Sequence, residues 1–193
     1  MVVVGDSHAA HLWRAFALRY RERNVMQATA SGCRPTVRGI GAKRCREVVD
    51  YVFGPLLSSG KLNTVILSGR WQENDLPLVA ATVAHIRAAG AQAVVIGPTN
   101  EFQGDLPIIL AHETLSHDLS AVAGFRKTAL RQIDLEMAKL VRDAGGTYIS
   151  VLELECPTNI CRLTAPNGTP MQFDYGHLTL PGSVWVVNQM PEL

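Results

Sequence analysis

The turn Gly5-Asp6-Ser7-His8 places a serine hydroxyl directly behind the β-branched run Val2-Val3-Val4 and ahead of a helical pattern. A serine so placed stands at the mouth of a helix, where backbone N–H groups without an intrahelical acceptor can hold an anion. That position suits a nucleophile. Gly5 admits the tight turn and Asp6 can brace it by hydrogen-bonding the backbone beyond, although Asp6 or Ser7 is equally suited to act only as the helix N-cap. A serine nucleophile needs a base to take its proton, and the base needs a carboxylate to fix its tautomer and to stabilise the imidazolium. Asp174 and His177 supply both, in the stretch Phe173-Asp174-Tyr175-Gly176-His177-Leu178-Thr179, which Pro170 and Pro181 mark as loop. His8 adjoins Ser7, but neighbouring side chains at a helix start point apart, so His8 is read as lining the cleft and His177 as the base. The chemistry these residues suit is acyl transfer: Ser7 attacks an ester, an acyl-serine forms, and a hydroxyl resolves it.

The elements that must bring both ends of the chain together alternate between strand and helix. Strands are predicted over 2–4, 25–30, 64–68, 93–96 and 147–152, and helices over 9–23, 77–89, 124–144 and 181–189, with a further short helix over 47–57 interrupted at Gly54-Pro55. Residues 39–46 and 100–123 read as loops, the second long enough to serve as a lid, with Ile108 to Leu110 tucked inward and His112 and His117 at the surface. Alternation of this kind implies a parallel sheet covered by helices on both faces, with ligands bound beyond the carboxyl ends of the strands. Ser7, Gly32, Gly69 and Thr99 all follow strand ends, so the topology gathers them around one cleft.

A chain of 193 residues accommodates one domain with a sizeable core, and a 47% hydrophobic and 18% charged composition fits a folded globular protein. The net charge of +1 gives no reason to expect nucleic acid, and the short basic groups at Arg19 to Arg23 and Lys43 to Arg46 read as solvated surface. There is no apolar run of about twenty residues and no signal-peptide pattern before the first strand. The cysteines Cys33, Cys45, Cys156 and Cys161 lack structural-zinc spacing, and no metal is expected. Three disulfide pairings are possible; Cys33 with Cys45 and Cys156 with Cys161 is preferred because each closes a local loop with little core to hold it, the alternative being four reduced thiols.

The sequence resembles the SGNH, or GDSL-like, hydrolase superfamily, whose members carry a Gly-Asp-Ser block near the start and an Asp-x-x-His block near the end, matched here by Gly5-Asp6-Ser7 and Asp174-Tyr175-Gly176-His177. Within it the chain is most similar to SGNH domains attached to membrane-bound acyltransferase family 3 proteins. The details are Gly-Asp-Ser-His in the first block, Ser31-Gly32-Cys33-Arg34-Pro35, Leu67-Ser68-Gly69-Arg70-Trp71, and the Cys156 to Cys161 pair ahead of Asp-x-x-His-Leu-Thr. The likeness implies a three-layer α/β/α sandwich with a five-stranded parallel sheet, flavodoxin-like. It further implies a single domain over 1–193, cut from a larger membrane-attached acyltransferase and working in the periplasm or at the extracytoplasmic face of the inner membrane. The implied reaction is O-acetylation of bacterial cell-surface polysaccharide, with a sugar hydroxyl as acceptor and acetyl supplied by a membrane acyltransferase domain in the same full-length chain. No metal or organic cofactor is implied.

Oxyanion donors are implied at the N–H groups of Ser7 and Gly32. The superfamily's Gly-x-Asn-Asp block is altered here, since Gly69 is present but Trp71 stands where the asparagine would be. Gly69, Asn74 or Arg70 are the substitutes in the same loop. Arg70 suits either a substrate carboxylate or a surface ion pair, and Trp71 either a sugar ring or ordinary packing. A carbohydrate esterase using water shares every triad residue, and a non-catalytic glycan-binding module of an acyltransferase is the reading from another class.

Overall fold

Val2–Gly5 forms a strand, β1, that is buried on both sides because it lies inside the sheet. The computed structural model describes residues 1–38, 42–158 and 160–193. Around β1 the other strands are β2 (Met26–Thr29), β3 (Thr64–Ser68), β4 (Gln92–Ile96) and β5 (Thr147–Ile149), in the order β2-β1-β3-β4-β5 and all parallel. The period of two along a strand divides its side chains between two layers. Val3, Ile66, Val94 and Ile96 face one core, shared with Leu12 and Phe16 and with Val186 and Val187. Val2, Val4, Val65, Leu67, Ala93 and Val95 face the other, against Val49, Val79, Val83, Met137 and Val141. The molecule is therefore a three-layer α/β/α sandwich with a five-stranded parallel sheet, flavodoxin-like in order, as the alternation of elements required.

The helices are α1 (Ser7–Arg19), α2 (Lys43–Tyr51), α3 (Leu76–Ala88), α4 (Leu106–Leu115), α5 (Leu130–Asp143), α6 (Val151–Glu155) and α7 (Leu180–Gln189). Strand order reverses between β1 and β3, and their ends are in register, with Gly5 opposite Ser68 on one side and Thr29 on the other. This gathers the loops after β1, β2 and β3 at one place. Gly5 has φ +151°, and a Cβ there would lie 1.7 Å from the Ser68 carbonyl oxygen, so the close approach of β1 to β3 is possible only without a side chain.

Several predicted boundaries move. The first helix stops at Arg19, short of residue 23, and the loop predicted over 39–46 holds only in part: 39–41 lie outside the described residues, and α2 already begins at Lys43. Gly54 and Pro55 do not break the helix that follows; the chain continues through a wider π turn, Val52–Leu56, which accommodates the missing proline N–H. The long loop predicted over 100–123 contains α4 and the start of a 3₁₀ run, Leu119–Phe125. Pro107 falls in the first turn of α4, where its absent N–H costs nothing. Helical geometry then turns Leu106 and Ile109 inward, at 0% and 7% exposure, and leaves Ile108 68% exposed, contrary to the expected inward placement. The helix predicted from residue 124 begins at Leu130, and β5 ends at Ile149 because the Ser150 hydroxyl accepts the Glu153 N–H and caps α6. The disulfides are Cys33–Cys45 and Cys156–Cys161.

Candidate active site

The turn after β1 resolves the choice between cap and nucleophile by giving the roles to different residues. Asp6 is the N-cap of α1: its Oδ1 accepts the His8 N–H at 2.8 Å and its carbonyl accepts the N–H groups of Ala9 and Ala10. Ser7 is thereby released as the first helical residue, and its Oγ lies 2.7 Å from Nε2 of His177. Nδ1 of His177 lies 2.7 Å from Oδ2 of Asp174, whose Oδ1 accepts the backbone N–H groups of Gly176 and His177. This local turn, closed by the Phe173 N–H to the His177 carbonyl, fixes carboxylate and imidazole on one short loop. Burial favours the neutral form of Asp174, but those two N–H groups and His177 outweigh it and hold the carboxyl below its ordinary range. An ionised Asp174 retains the proton on Nδ1, so Nε2 is left as an acceptor for the Ser7 hydroxyl. The three groups, brought together from residues 170 positions apart, can pass a proton from serine to histidine while the carboxylate stabilises the imidazolium.

The segment 100–123 buttresses this arrangement. Leu106 at the start of α4 donates its N–H to the Asp174 carbonyl, and Phe102 donates to the Tyr175 carbonyl. The segment predicted as a lid is thus a support under the triad loop. Thr99 accepts from Nδ1 of His8 at 3.1 Å and donates to the Gly176 carbonyl at 3.2 Å. His8, read from the sequence as lining the cleft, is buried beside the triad, its ring 4.6 Å from that of His177, and burial pushes its pKa down to about 4. His11 accepts the Leu178 N–H, and burial, followed by the nearby His8 and His177, holds it well below the ordinary range. Both neighbours of His177 are therefore neutral rings. No group of three or more metal-ligating side chains with metal-site geometry occurs among the described residues.

Behind the nucleophile, the Asp6 carboxylate fastens three strand-end loops together. Its Oδ2 accepts the Arg70 N–H at 2.9 Å and a guanidinium N–H of Arg34 at 3.0 Å, and Arg34 also pairs with Asp75 at 2.9 Å. Gly32, two residues before Arg34, has φ +73° and open space where a Cβ would be, so the residue type serves backbone conformation there and not close packing. Gly69 faces Asp6 and Pro35, and Asn74 lies exposed on the 3₁₀ turn Glu73–Asp75. Arg70 forms a two-pronged pair with Glu101, at 2.8 and 2.9 Å, and its guanidinium lies 4.8 Å from the Tyr175 ring centre. Lys127 joins Glu101 from the other side at 2.9 Å. Arg70 is thus held by a carboxylate of its own chain, the ion-pair alternative of the sequence reading. Burial works against the charge of Glu101, yet Arg70 and Lys127 bring its pKa below the ordinary value.

Trp71 corrects one expectation. It is 1% exposed and donates its indole N–H to the Ile96 carbonyl at 2.8 Å, so it packs in the core and presents no open face to a sugar. A groove of about 450 Å³ starts beside it, walled by Arg70, Gln72, Asn74, Glu101 and Lys127. Glu101 and Lys127 carried no motif in the sequence. Arg34 stood within a quoted stretch, but its two carboxylate partners lie on different loops and become visible only in three dimensions.

Solved structures share this architecture. The periplasmic domain of a lipopolysaccharide acetyltransferase from Salmonella ser. Paratyphi A superposes with a TM-score of 0.80 at 20% identity, covering 97% of this chain and 80% of that one. An SGNH hydrolase assignment from Slackia heliotrinireducens gives 0.58 at 17% identity, covering 97% and 94%, and TesA gives 0.50 at 14%, covering 97% and 93%. At these identities the likeness is one of fold. No curated protein matches the sequence. The family model that does match, over residues 1–192, is the SGNH domain fused to AT3 domains, and the chain belongs to that family.

Proposed function

We propose that this domain is an O-acyltransferase that places an acetyl group on a bacterial cell-surface polysaccharide through an acyl-Ser7 intermediate. The observation that carries the reading is the continuous hydrogen-bonded series Asp174–His177–Ser7, with 2.7 Å at each of its two junctions. In the first half-reaction Nε2 of His177 takes the Ser7 proton while Oγ bonds to the acyl carbonyl carbon. The tetrahedral oxyanion collapses, the bond to the donor's leaving oxygen or sulfur breaks, and His177 returns its proton to that leaving group. In the second half, a sugar hydroxyl gives its proton to His177, attacks the acyl-serine, and regenerates the Ser7 hydroxyl as the ester forms. The N–H groups of Ser7 and Gly32 are assigned to the oxyanion, with Gly69 and Asn74 as further donors from the neighbouring loop.

Family membership supports a membrane partner, since these SGNH domains are fused to AT3 domains. The chain over 1–193 is accordingly read as one domain of a larger membrane-attached acyltransferase that works on the extracytoplasmic side, with acetyl delivered from the membrane domain. The fold likeness to the Salmonella periplasmic domain agrees with that placement. Among the described residues no helix is long and apolar enough to cross a membrane.

Mass spectrometry of the oxidised protein after exposure to p-nitrophenyl acetate tests the proposal, with Ser7→Ala alongside and a candidate oligosaccharide added or withheld. Acetyl on Ser7 that passes to sugar is the expected result. Release to water alone assigns a carbohydrate esterase, and a folded protein with no adduct and no turnover assigns a glycan-binding module.

A further inference from the structure

Phe173 stands next to the triad carboxylate with 58% of its surface exposed, and its ring runs nearly parallel to that of His177, with 16° between the planes and 5.6 Å between the centres. We propose that the open face of Phe173 is the platform on which a pyranose ring of the acceptor stacks while one of its hydroxyls reaches Nε2 of His177. The inference rests on the reading of this domain as acting on a glycan, and it gives that site a substrate-binding residue.

The local sequence aims this ring at the triad. Gln172 and Leu178 form an antiparallel bridge, and both are buried. The period of two along the chain then turns the next pair, Phe173 and His177, to the opposite side. The Phe173 N–H, donated to the His177 carbonyl at 3.0 Å, holds that pair together, and Oδ1 of Asp174 braces the turn between them through the N–H groups of Gly176 and His177. A ring set on so short and well-tied a turn gives up little freedom when a ligand meets it. Near-parallel rings with centres 5.6 Å apart form an offset stack. His177 therefore covers only part of the phenyl ring, and the remainder is apolar surface left in water directly beside the base.

An acceptor hydroxyl must come within about 2.6–3.2 Å of Nε2 to give up its proton, so the sugar that bears it lies against the imidazole and its neighbours. Besides Phe173, three rings surround His177: His8 at 4.6 Å, Tyr175 at 5.5 Å and His11 at 6.0 Å. His8 is buried, and His11 is engaged by the Leu178 N–H. Tyr175 meets His177 edge-on and has the Arg70 guanidinium 4.8 Å and the Lys127 Nζ 5.1 Å from its own ring centre. Of the four, Phe173 is the exposed one. A pyranose matches such a surface, because the C–H bonds on its flat face are apolar and slightly positive, whereas the face of a phenyl ring carries the negative part of its quadrupole. The hydroxyls around the edge of the sugar then stay free to reach the base. Phe173 thus takes the role for which Trp71, buried in the core, is unfit.

The test follows the aromatic NMR signals of Phe173 in the oxidised wild-type protein on titration with cellotriose, methyl β-D-galactopyranoside and the acyclic polyol sorbitol. The first two carry flat C–H faces, and sorbitol offers hydroxyls without one. The expected result is that at least one pyranoside shifts the Phe173 ring signals and sorbitol does not. Phe173→Leu keeps apolar cover over His177 but has no flat face, and is expected to weaken that pyranoside at least fivefold, read at the Gly176 and His177 amides. Phe173→Trp restores a flat face and is expected to bind it within twofold of wild type or tighter. No Phe173 shift with either pyranoside, an equal shift with sorbitol, or wild-type affinity in Phe173→Leu overturns the platform. Equal weakening in the Leu and Trp variants also overturns it, since Phe173 then acts only by packing on His177. A wild type that binds a pyranoside at Phe173 but forms no acetyl-Ser7 with p-nitrophenyl acetate keeps the platform and removes acyl transfer. Acetyl-Ser7 without a Phe173 shift does the reverse.

Discussion

Arg34 meets Asp6 at 3.0 Å across the loops that follow β2 and β1, and the same guanidinium reaches Asp75 in the segment after β3. Both carboxylates are buried, and Arg34 is itself 18% exposed. Arg34→Met strands two charges in the interior, for which a loss of about 3–5 kcal/mol is expected. Arg34→Lys cannot span both carboxylates and falls between. Urea unfolding of the three proteins at neutral pH measures this, and a loss below 1 kcal/mol for Arg34→Met would show that the clamp has no weight in stability.

Ser7→Ala is expected to remove p-nitrophenyl acetate turnover to within the residual level of a triad-less site, roughly 10³-fold or more below wild type. Asp174→Asn leaves the loop in place but no longer fixes the Nδ1 proton, and a fall of about 10⁴-fold in kcat is expected. The thermal midpoint of Ser7→Ala should stay within a few degrees of wild type. A Ser7→Ala protein that turns over normally would remove Ser7 from the chemistry.

Two buried titratable groups make stability fall on either side of a middle pH. His8 moves from 6.5 in the unfolded chain to about 4 when folded, so between these values the unfolded chain holds the extra proton and stability falls as pH drops. Glu155 moves the other way, from 4.5 to about 7; there the folded chain holds the extra proton and stability falls as pH rises. Each contributes about 3 kcal/mol across its window. The two windows overlap between pH 4.5 and 6.5, where the opposite slopes offset each other, so Glu155→Gln should gain stability from pH 5 to 6.5 where wild type stays level, read by chemical denaturation at several pH values, and a profile parallel to that of wild type would refute the assignment.

Closing a longer loop restrains the unfolded chain more. Cys33 and Cys45 are 12 residues apart and Cys156 and Cys161 only 5. Loss of the first, as a paired serine variant, is expected to cost about 3 kcal/mol and loss of the second about 2 kcal/mol. The second loop immediately follows Glu155, so its removal should also loosen Asn100. Denaturation midpoints and amide exchange at Asn100 check both statements; a larger loss from the shorter loop would mean that packing outweighs chain entropy here.

The layered fold was legible because Val2-Val3-Val4 and Thr64 to Ser68 are apolar on both faces, which a strand inside a parallel sheet requires. Ser7, Asp174 and His177 were legible because catalytic side chains must be of specific types, and Asp174 and His177 stand on one short turn. Trp71 misled for the reverse reason: an indole has the same composition whether it is stacked on a sugar or buried with its N–H on Ile96. The α4 segment was hidden by Pro107, which signals a break inside a helix and none at all in its first turn. Glu101 and Lys127 are residues that are ordinary on any surface, and their convergence belongs to the crossing of loops and not to any local pattern.

Arg19 near the end of α1 donates to the carbonyls of Val187 and Met190 and pairs with Glu192, so the first helix is fastened to the last. Within this domain Ser7 is synthesised 170 residues ahead of His177. During that interval the hydroxyl is an ordinary alcohol with no base beside it. Until the domain closes it is therefore inert towards acyl donors, and reactivity arrives as a single event, when α7 docks on α1 and brings the base to the alcohol.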